Sequence, residues 1–191
     1  GTFFAALDAD SEGVEGKYFV WTPEQLNEAL GQQEGTEAAE FWGVSERGNF
    51  EEGTSALHRL DHLDDRGHLA LLDELPERAE RWRRRLLEVR AARVPPGTDT
   101  KVITAWNGLM IRALARAGAA LGEPRYLEAA RQAARFFTQH MITEEDDGPR
   151  LWRIYKDGQR RFAGYLEDHA FLADGLLALF EATGEPAWLE A

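Results

Sequence analysis

Three consecutive polar side chains, Glu167, Asp168 and His169, stand immediately before a long apolar segment near the end of the chain. Carboxylates beside a histidine can donate and accept protons near neutral pH, so this run could supply acid–base catalysis. A structural role is also open: acidic groups stabilise the start of a helix, and a histidine can lie in a core with its hydrogen bonds satisfied. The sequence alone leaves both interpretations open.

Further side chains could shape a sugar pocket around this run. Trp106 and Asn107 begin an earlier apolar segment, where an indole ring could stack on the face of a sugar. Trp152 and Arg153 lie in a segment that we predict to form a hairpin at the mouth of the same site. The alternative for Trp106 is an ordinary place in the core.

Two polar loops in the first third of the chain are weaker candidates for binding a ligand. Asp8 and Asp10 open an acidic turn that resembles the start of a calcium loop. The twelfth position, where an EF-hand needs a bidentate glutamate, is Phe19, so an EF-hand is excluded. Asn49 and Glu51 lie in a glycine-flanked loop. In both loops the residues are also those that turns favour, so either could overhang a pocket or simply form a turn.

An internal repeat predicts how the main candidates are arranged. Residues 122–129 and 184–191 are nearly the same, at an offset of 62 residues. A period of this length accommodates a helical hairpin, which indicates large antiparallel helix pairs. The offset superposes 106–108 on 168–170, so the candidate residues share one position at the start of equivalent helices.

The same offset places Arg112 on Asp174. Each charge interrupts an otherwise apolar helix, where an unpaired charge would be costly. We therefore predict that the two side chains face each other or share a partner; otherwise both reach the edge of the layer.

Local patterns before residue 98 predict short elements. They are a hairpin of strands 3–7 and 17–21, a helix from Pro23 to about Leu30, a helix at 36–42, a loop at 45–54, one or two helices at 69–93 with Pro76 near a start, and a break at 94–97. Beyond the break, apolar helices at 108–121 and 170–180 flank an amphipathic helix at 125–142, and a hairpin covers 151–162.

Alternating buried and amphipathic helices indicate a mainly α fold with two layers, as in an α/α toroid built from helical hairpins. A closed ring needs more helices than the sequence provides. We therefore expect residues 1–191 to be a single fragment of a larger toroid domain. Its first part is 1–93, a linker follows at 94–100, and repeated hairpins occupy 101–191. Some apolar helix sides should then be open to water.

Five segments carry a family resemblance: 3–13, 15–21, 48–51, Lys101 with 106–110, and 164–170. Together they resemble the thioredoxin-domain-containing proteins of the YyaL and spermatogenesis-associated type. The resemblance implies an amino-terminal thioredoxin-like domain in the full-length protein. It also implies a toroid similar to six-hairpin glycosidases and N-acylglucosamine 2-epimerases. The chain lacks the thioredoxin-like part and has no cysteine, so redox chemistry is not carried over.

Composition excludes several classes of function. The net charge is −12, which disfavours nucleic acid even though 78–93 contains seven arginines. The sequence contains neither a membrane-spanning run nor a signal peptide, and we expect a cytoplasmic protein. With no metal-ligand set and no phosphate-binding glycine loop, we expect no cofactor.

The leading hypothesis is a carbohydrate-processing toroid, either a glycoside hydrolase or a sugar epimerase. Glu167, Asp168 and His169 would then be the acid–base residues. The alternative is a non-catalytic scaffold that binds a sugar, another small molecule or a protein and is attached to the thioredoxin-like domain.

Overall fold

The computed structural model describes residues 1–58, 77–146 and 148–190. They form two compact units: the larger unit consists of Gly1–Leu7 and Thr98–Ala191, and the smaller unit consists of Asp8–Gly97. The described part is mainly α, as the sequence predicts. None of its helices combines the length and the apolar character that crossing a membrane requires.

The helices are α1 (Pro23–Leu30), α2 (Gln32–Phe41), α3 (Glu77–Ala91), α4 (Thr104–Leu121), α5 (Pro124–His140) and α6 (Leu166–Thr183). The strands are β1 (Ala6–Leu7), β2 (Asp10–Ser11), β3 (Val14–Glu15), β4 (Thr98–Asp99), β5 (Val102–Ile103), β6 (Ile142–Glu145), β7 (Gly148–Lys156) and β8 (Gln159–Ala163).

The smaller unit packs α1, α2 and α3 around an aromatic core. The predicted start of α1 is confirmed: the Thr22 side chain accepts a hydrogen bond from the Gln25 amide, and the Gln25 side chain accepts one from the Thr22 amide. Trp42 and Trp82 are buried with their rings edge to face at 6.0 Å. The loop at 45–54 is confirmed, with one short 3-10 turn. The predicted helix start at Pro76 lies outside the described residues.

The predicted pairing of 3–7 with 17–21 is wrong. β1 instead pairs with β4, and the hairpin within this stretch is formed by β2 and β3. The Gly16 carbonyl accepts hydrogen bonds from the amides of Phe19 and Val20, and Gly16 has a φ of +72°. Glycine adopts this left-handed conformation readily, so the chain forms a tight turn where a strand was expected.

In the larger unit, α4 and α6 run parallel and in register. The Ala105 amide at the start of α4 bonds the Asp168 side chain at the start of α6, and Arg112 pairs with Asp174 two turns later. The amphipathic helix α5 packs against both helices. Buried side chains between the three include Ile111, Phe137 and Leu179.

Two glycines set the spacing of α4 and α6. A Cβ atom on Gly108 would lie 2.5 Å from the backbone carbon and oxygen of Phe171, and one on Gly175 would lie 2.6 Å from the Gly108 oxygen. Real Cβ atoms do not approach so closely, so both positions need glycine for the two backbones to touch.

The hairpin predicted at 151–162 is confirmed: β7 pairs with β8, and also with β5 and β6. The expectation that α4 and α6 are buried on most sides holds only in part. Leu109 and Met110 are each 40 % exposed and Leu177 is 50 % exposed. These exposed sides agree with the expectation of apolar helix sides left open to water, whereas membership of a larger toroid stays a prediction.

Candidate functional site

The side chain of Asp168 is fully buried and fully hydrogen-bonded. Its Oδ1 accepts from the Ala105 amide at 3.0 Å, and its Oδ2 accepts from the Arg153 guanidinium at 2.8 Å and from the Tyr165 amide at 2.9 Å. The last bond caps the start of α6. One carboxylate therefore ties together the starts of two helices and strand β7.

Arg153 links the buried and the exposed acids. One nitrogen of its guanidinium, Nη1, lies 2.8 Å from both Glu167 Oε1 and Asp168 Oδ2, and the group stacks on the ring of Tyr165 at 4.5 Å. Hydrogen bonding to Glu167, and secondarily to Asp168, raises the pKa of Arg153 above its ordinary value. The arginine is thus a fixed cation at this end of the unit.

Glu167 and His169 differ from Asp168 because both reach the surface. The Glu167 side chain is 52 % exposed, and His169 is exposed as well. The imidazole lies against Gly164, where an added Cβ would be 3.4 Å from Nε2. Residues two apart do not face each other on a helix, so the two side chains leave the helix start in different directions.

Trp106 and Asn107 have different surroundings although they are adjacent. Trp106 is 55 % exposed on the first turn of α4, which argues against the core interpretation. Asn107 is buried, and its amide bonds only to backbone: the Phe3 amide and carbonyl and the Ile103 carbonyl. Asn107 therefore holds the first residues of the chain, while the indole is open to a ligand.

Trp152 is half-buried against the core. Its carbonyl accepts from the Thr104 hydroxyl at 2.6 Å, and its indole nitrogen donates to the Thr143 hydroxyl at 2.9 Å. The larger unit thus gathers seven of the predicted site residues near the shared N-terminal end of α4 and α6. Three of them, Asn107, Trp152 and Asp168, use their polar groups to hold the fold.

The remaining predicted residues lie in the smaller unit. Asp8 accepts from the Asp10 amide at 3.3 Å, and both side chains are exposed. Asn49 bonds the amide and the carbonyl of Ala56, so its side chain closes its own loop. Glu51 lines a shallow cavity of about 340 Å³ that Phe50 also lines.

The sequence did not indicate Tyr165. This residue lies at the N-cap position of α6, is 58 % exposed, and provides the ring beneath Arg153. A tyrosine two residues before Glu167 was the available signal, but its contact with Arg153 of strand β7 depends on the tertiary fold. Among the described residues, no cluster of three or more His, Asp or Glu side chains could hold a metal ion.

The larger unit is therefore a layered helical assembly with exposed aromatic and charged groups at one end of its parallel helices. No protein-family model matches the chain. Along its whole length it is 30 % identical to Spermatogenesis-associated protein 20 of Homo sapiens and of Mus musculus. It is 27 % identical to an uncharacterised protein of Caenorhabditis elegans.

The chain spans 28 % of the length of the two mammalian proteins and 30 % of the nematode protein. Similarity from end to end supports the spermatogenesis-associated type of family that the five motifs indicate. The names of these relatives give no activity.

Proposed function

We propose that the larger unit is the sugar-binding part of a carbohydrate-processing α/α toroid. The observation that carries the proposal is the combination of exposed rings and charges at the shared start of α4 and α6. Trp106 and Tyr165 offer aromatic faces for a sugar ring, and Arg153 and Glu167 offer hydrogen-bonding partners for its hydroxyl groups.

In this proposal the acid–base residues are Glu167 and His169. Proton transfer needs a side chain that can reach a ligand, and these two side chains are exposed. Asp168, in contrast, is buried and accepts three hydrogen bonds from the protein. Asp168 instead positions the helix starts, and Arg153 orients Glu167. A glycoside hydrolase would need a second carboxylate across the sugar, and an epimerase a second base.

A non-catalytic scaffold attached to a thioredoxin-like domain is the second candidate. The observation that favours it is the engagement of Asn107, Trp152 and Asp168 with other parts of the protein. A scaffold of this kind would still bind a ligand through Trp106, but substitution of Glu167 would leave any activity of the full-length protein unchanged.

Binding is tested first, by thermal shift of this chain against a panel of mono- and disaccharides. We expect one class of sugar to raise the unfolding temperature, and Trp106→Ala to abolish the shift. The control is Leu121→Ala, which removes another exposed apolar side chain at the far end of the same helix. A protein that no sugar stabilises, or a shift that survives Trp106→Ala, contradicts the proposed site.

Catalysis is tested next, with the sugar that binds. Glu167→Gln keeps the shape of the side chain and removes its charge, and should abolish hydrolysis or epimerisation while binding persists. Glu181→Gln, at an exposed position in the last turn of α6, is the matched control. Turnover that is unchanged in Glu167→Gln, or binding without turnover, favours the scaffold.

A further inference from the structure

Two arginines at the end of α3 in the smaller unit lie against aromatic rings. The guanidinium of Arg93 stacks on the ring of Trp21 at 4.1 Å, and that of Arg90 lies 5.6 Å from the ring of Tyr18. Within the part of the chain that the structure describes, neither arginine forms an ion pair with an aspartate or a glutamate. This end of the smaller unit therefore carries two positive charges without a negative partner.

The hydrogen bonds of Arg93 leave one edge of its guanidinium open. Nη1 donates to the carbonyl oxygens of Tyr18 at 3.0 Å and of Val20 at 2.8 Å, whereas Nη2 makes only a long bond of 3.4 Å to Gln25 Oε1. Among the described residues, Nε donates to no acceptor. Carbonyl groups carry no net charge, so they hold the side chain without neutralising it. Nε and Nη2 together form the fork that binds a carboxylate through two parallel hydrogen bonds.

The surroundings of Arg93 are unfavourable for its charge. Burial, and secondarily repulsion by Arg90, lowers the pKa of Arg93 below its ordinary value. Arg90 is also incompletely satisfied, because its Nε is buried without a hydrogen-bond partner. Arginine nevertheless remains protonated in proteins, so the cost of this charge falls only when an anion approaches it.

Both partners of the long bond, Arg93 and Gln25, line a cavity of about 360 Å³. The other lining residues are Ser11, Glu12, Lys17, Tyr18, Ala92 and Val94. Lys17 is already paired with Glu12 at 2.7 Å, so the lining has a net charge of +1 that belongs to Arg93. The volume lies within the range of about 300–1,000 Å³ that small-molecule sites occupy.

We propose that this cavity binds a small organic monocarboxylate, whose two oxygens accept hydrogen bonds from Nε and Nη2 of Arg93. A single negative charge matches the net charge of the lining, whereas a second one would face Glu12. The side chains of Ala92 and Val94 and the ring of Tyr18 offer apolar surface to the rest of the ligand. This site lies within the smaller unit and does not depend on the proposed sugar site.

Gln25→Glu tests the proposal by placing a carboxylate of the protein beside the open edge of Arg93. Glutamate also serves at the third position of a capping box, so the start of α1 is retained. The matched control is Gln32→Glu, which makes the same change of charge at the exposed first residue of α2. The unfolding temperature verifies that both variants are folded.

Binding is measured on this chain from NMR spectra of the arginine Nε–H groups during titration with butyrate. The resonance of Arg93 is assigned as the one that Arg93→Lys lacks. Butyramide is the neutral probe of the same shape, and inorganic phosphate is the probe with a higher charge.

We expect butyrate to shift the Arg93 resonance with a Kd of about 0.1–10 mM in the wild type and in Gln32→Glu. Gln25→Glu should weaken this binding at least about tenfold, and butyramide should cause no saturable shift. The absence of a saturable shift with butyrate, an equal response to butyramide, or undiminished binding in Gln25→Glu overturns the proposed site. Tighter binding of phosphate than of butyrate overturns its assignment to a monocarboxylate.

Discussion

Replacing Asp168 by alanine should destabilise the larger unit strongly, because three donors lose one acceptor group at once. The backbone amides of Ala105 and Tyr165 are fixed at helix starts and have no other partner within their own helices. Loss of the cap costs about 1 kcal/mol. The Ala105 amide, left buried without an acceptor, costs about 1–3 kcal/mol more.

The loss of the Arg153 contact adds less to this destabilisation than breaking a fully buried ion pair would. Its side chain is 24 % exposed and it keeps its bond to Glu167, so we count about 1 kcal/mol instead of the several that an abandoned buried charge costs. The expected loss in the free energy of unfolding is therefore about 3–5 kcal/mol. Asp168→Asn retains the volume and one acceptor oxygen, and should fall between wild type and alanine.

Amide hydrogen exchange in α4 and α6 measures this loss, since it reports the opening of the larger unit separately from the smaller one. The matched control is Glu167→Ala, which removes the adjacent carboxylate whose side chain is 52 % exposed. Exposed ion pairs contribute about 0–1 kcal/mol. If Asp168→Ala accelerates exchange no more than Glu167→Ala does, the assigned bonds do not hold the helices.

Three smaller perturbations test other parts of the structure. Asn107→Ala should raise the exchange rate of the Phe3 amide and cost about 1–3 kcal/mol, because the side-chain oxygen is the acceptor of that amide; unchanged exchange at Phe3 contradicts this role. Gly108→Ala should cost about 1–3 kcal/mol by forcing α4 and α6 apart. Gly97→Ala, whose Cβ would meet nothing within 4 Å, should change stability by less than about 0.5 kcal/mol, and equal effects would refute the glycine contact. Glu34 accepts hydrogen bonds from Arg81 and Trp82 of α3, and these bonds, chiefly the one from Arg81, hold its pKa below the ordinary value. That stabilisation is complete above the ordinary pKa and is lost as the pH falls through the lowered one, so Glu34→Gln should flatten the acid limb of a stability–pH curve.

The parallel packing of α4 and α6 could be predicted because a repeat carries tertiary information. Equivalent positions in adjacent copies tend to lie side by side, and the predicted contact of Arg112 with Asp174 is confirmed at 3.1 Å. The two side chains are also 38 % and 43 % exposed, so the pair lies at the edge of the layer, as the alternative interpretation expected. The repeat in a single sequence predicts the contact between α4 and α6, but it does not predict what packs against their exposed sides.

Strand pairing was harder to predict because it depends on which distant segment provides a partner. β1 pairs with β4, more than ninety residues away along the chain. The partners of Asp168 pose the same difficulty, since Ala105 and Arg153 come from a different helix and from a strand. The residue types indicated a carboxylate at a helix start, but only the fold shows that both of its oxygens already accept hydrogen bonds from the protein.

The repeat and the pattern of burial disagree in an informative way at the candidate site. The 62-residue offset pairs Trp106 with Asp168 and Asn107 with His169. Asn107 and Asp168 are the buried members, whereas Trp106 and His169 are exposed. The buried polar residue that holds a neighbouring segment has thus moved by one position between the copies. Position in the repeat therefore locates the end of the layer at which polar groups gather, and burial decides which of them a ligand can reach. It follows that Trp106, Glu167 and His169 are the side chains on which the proposed sugar site depends.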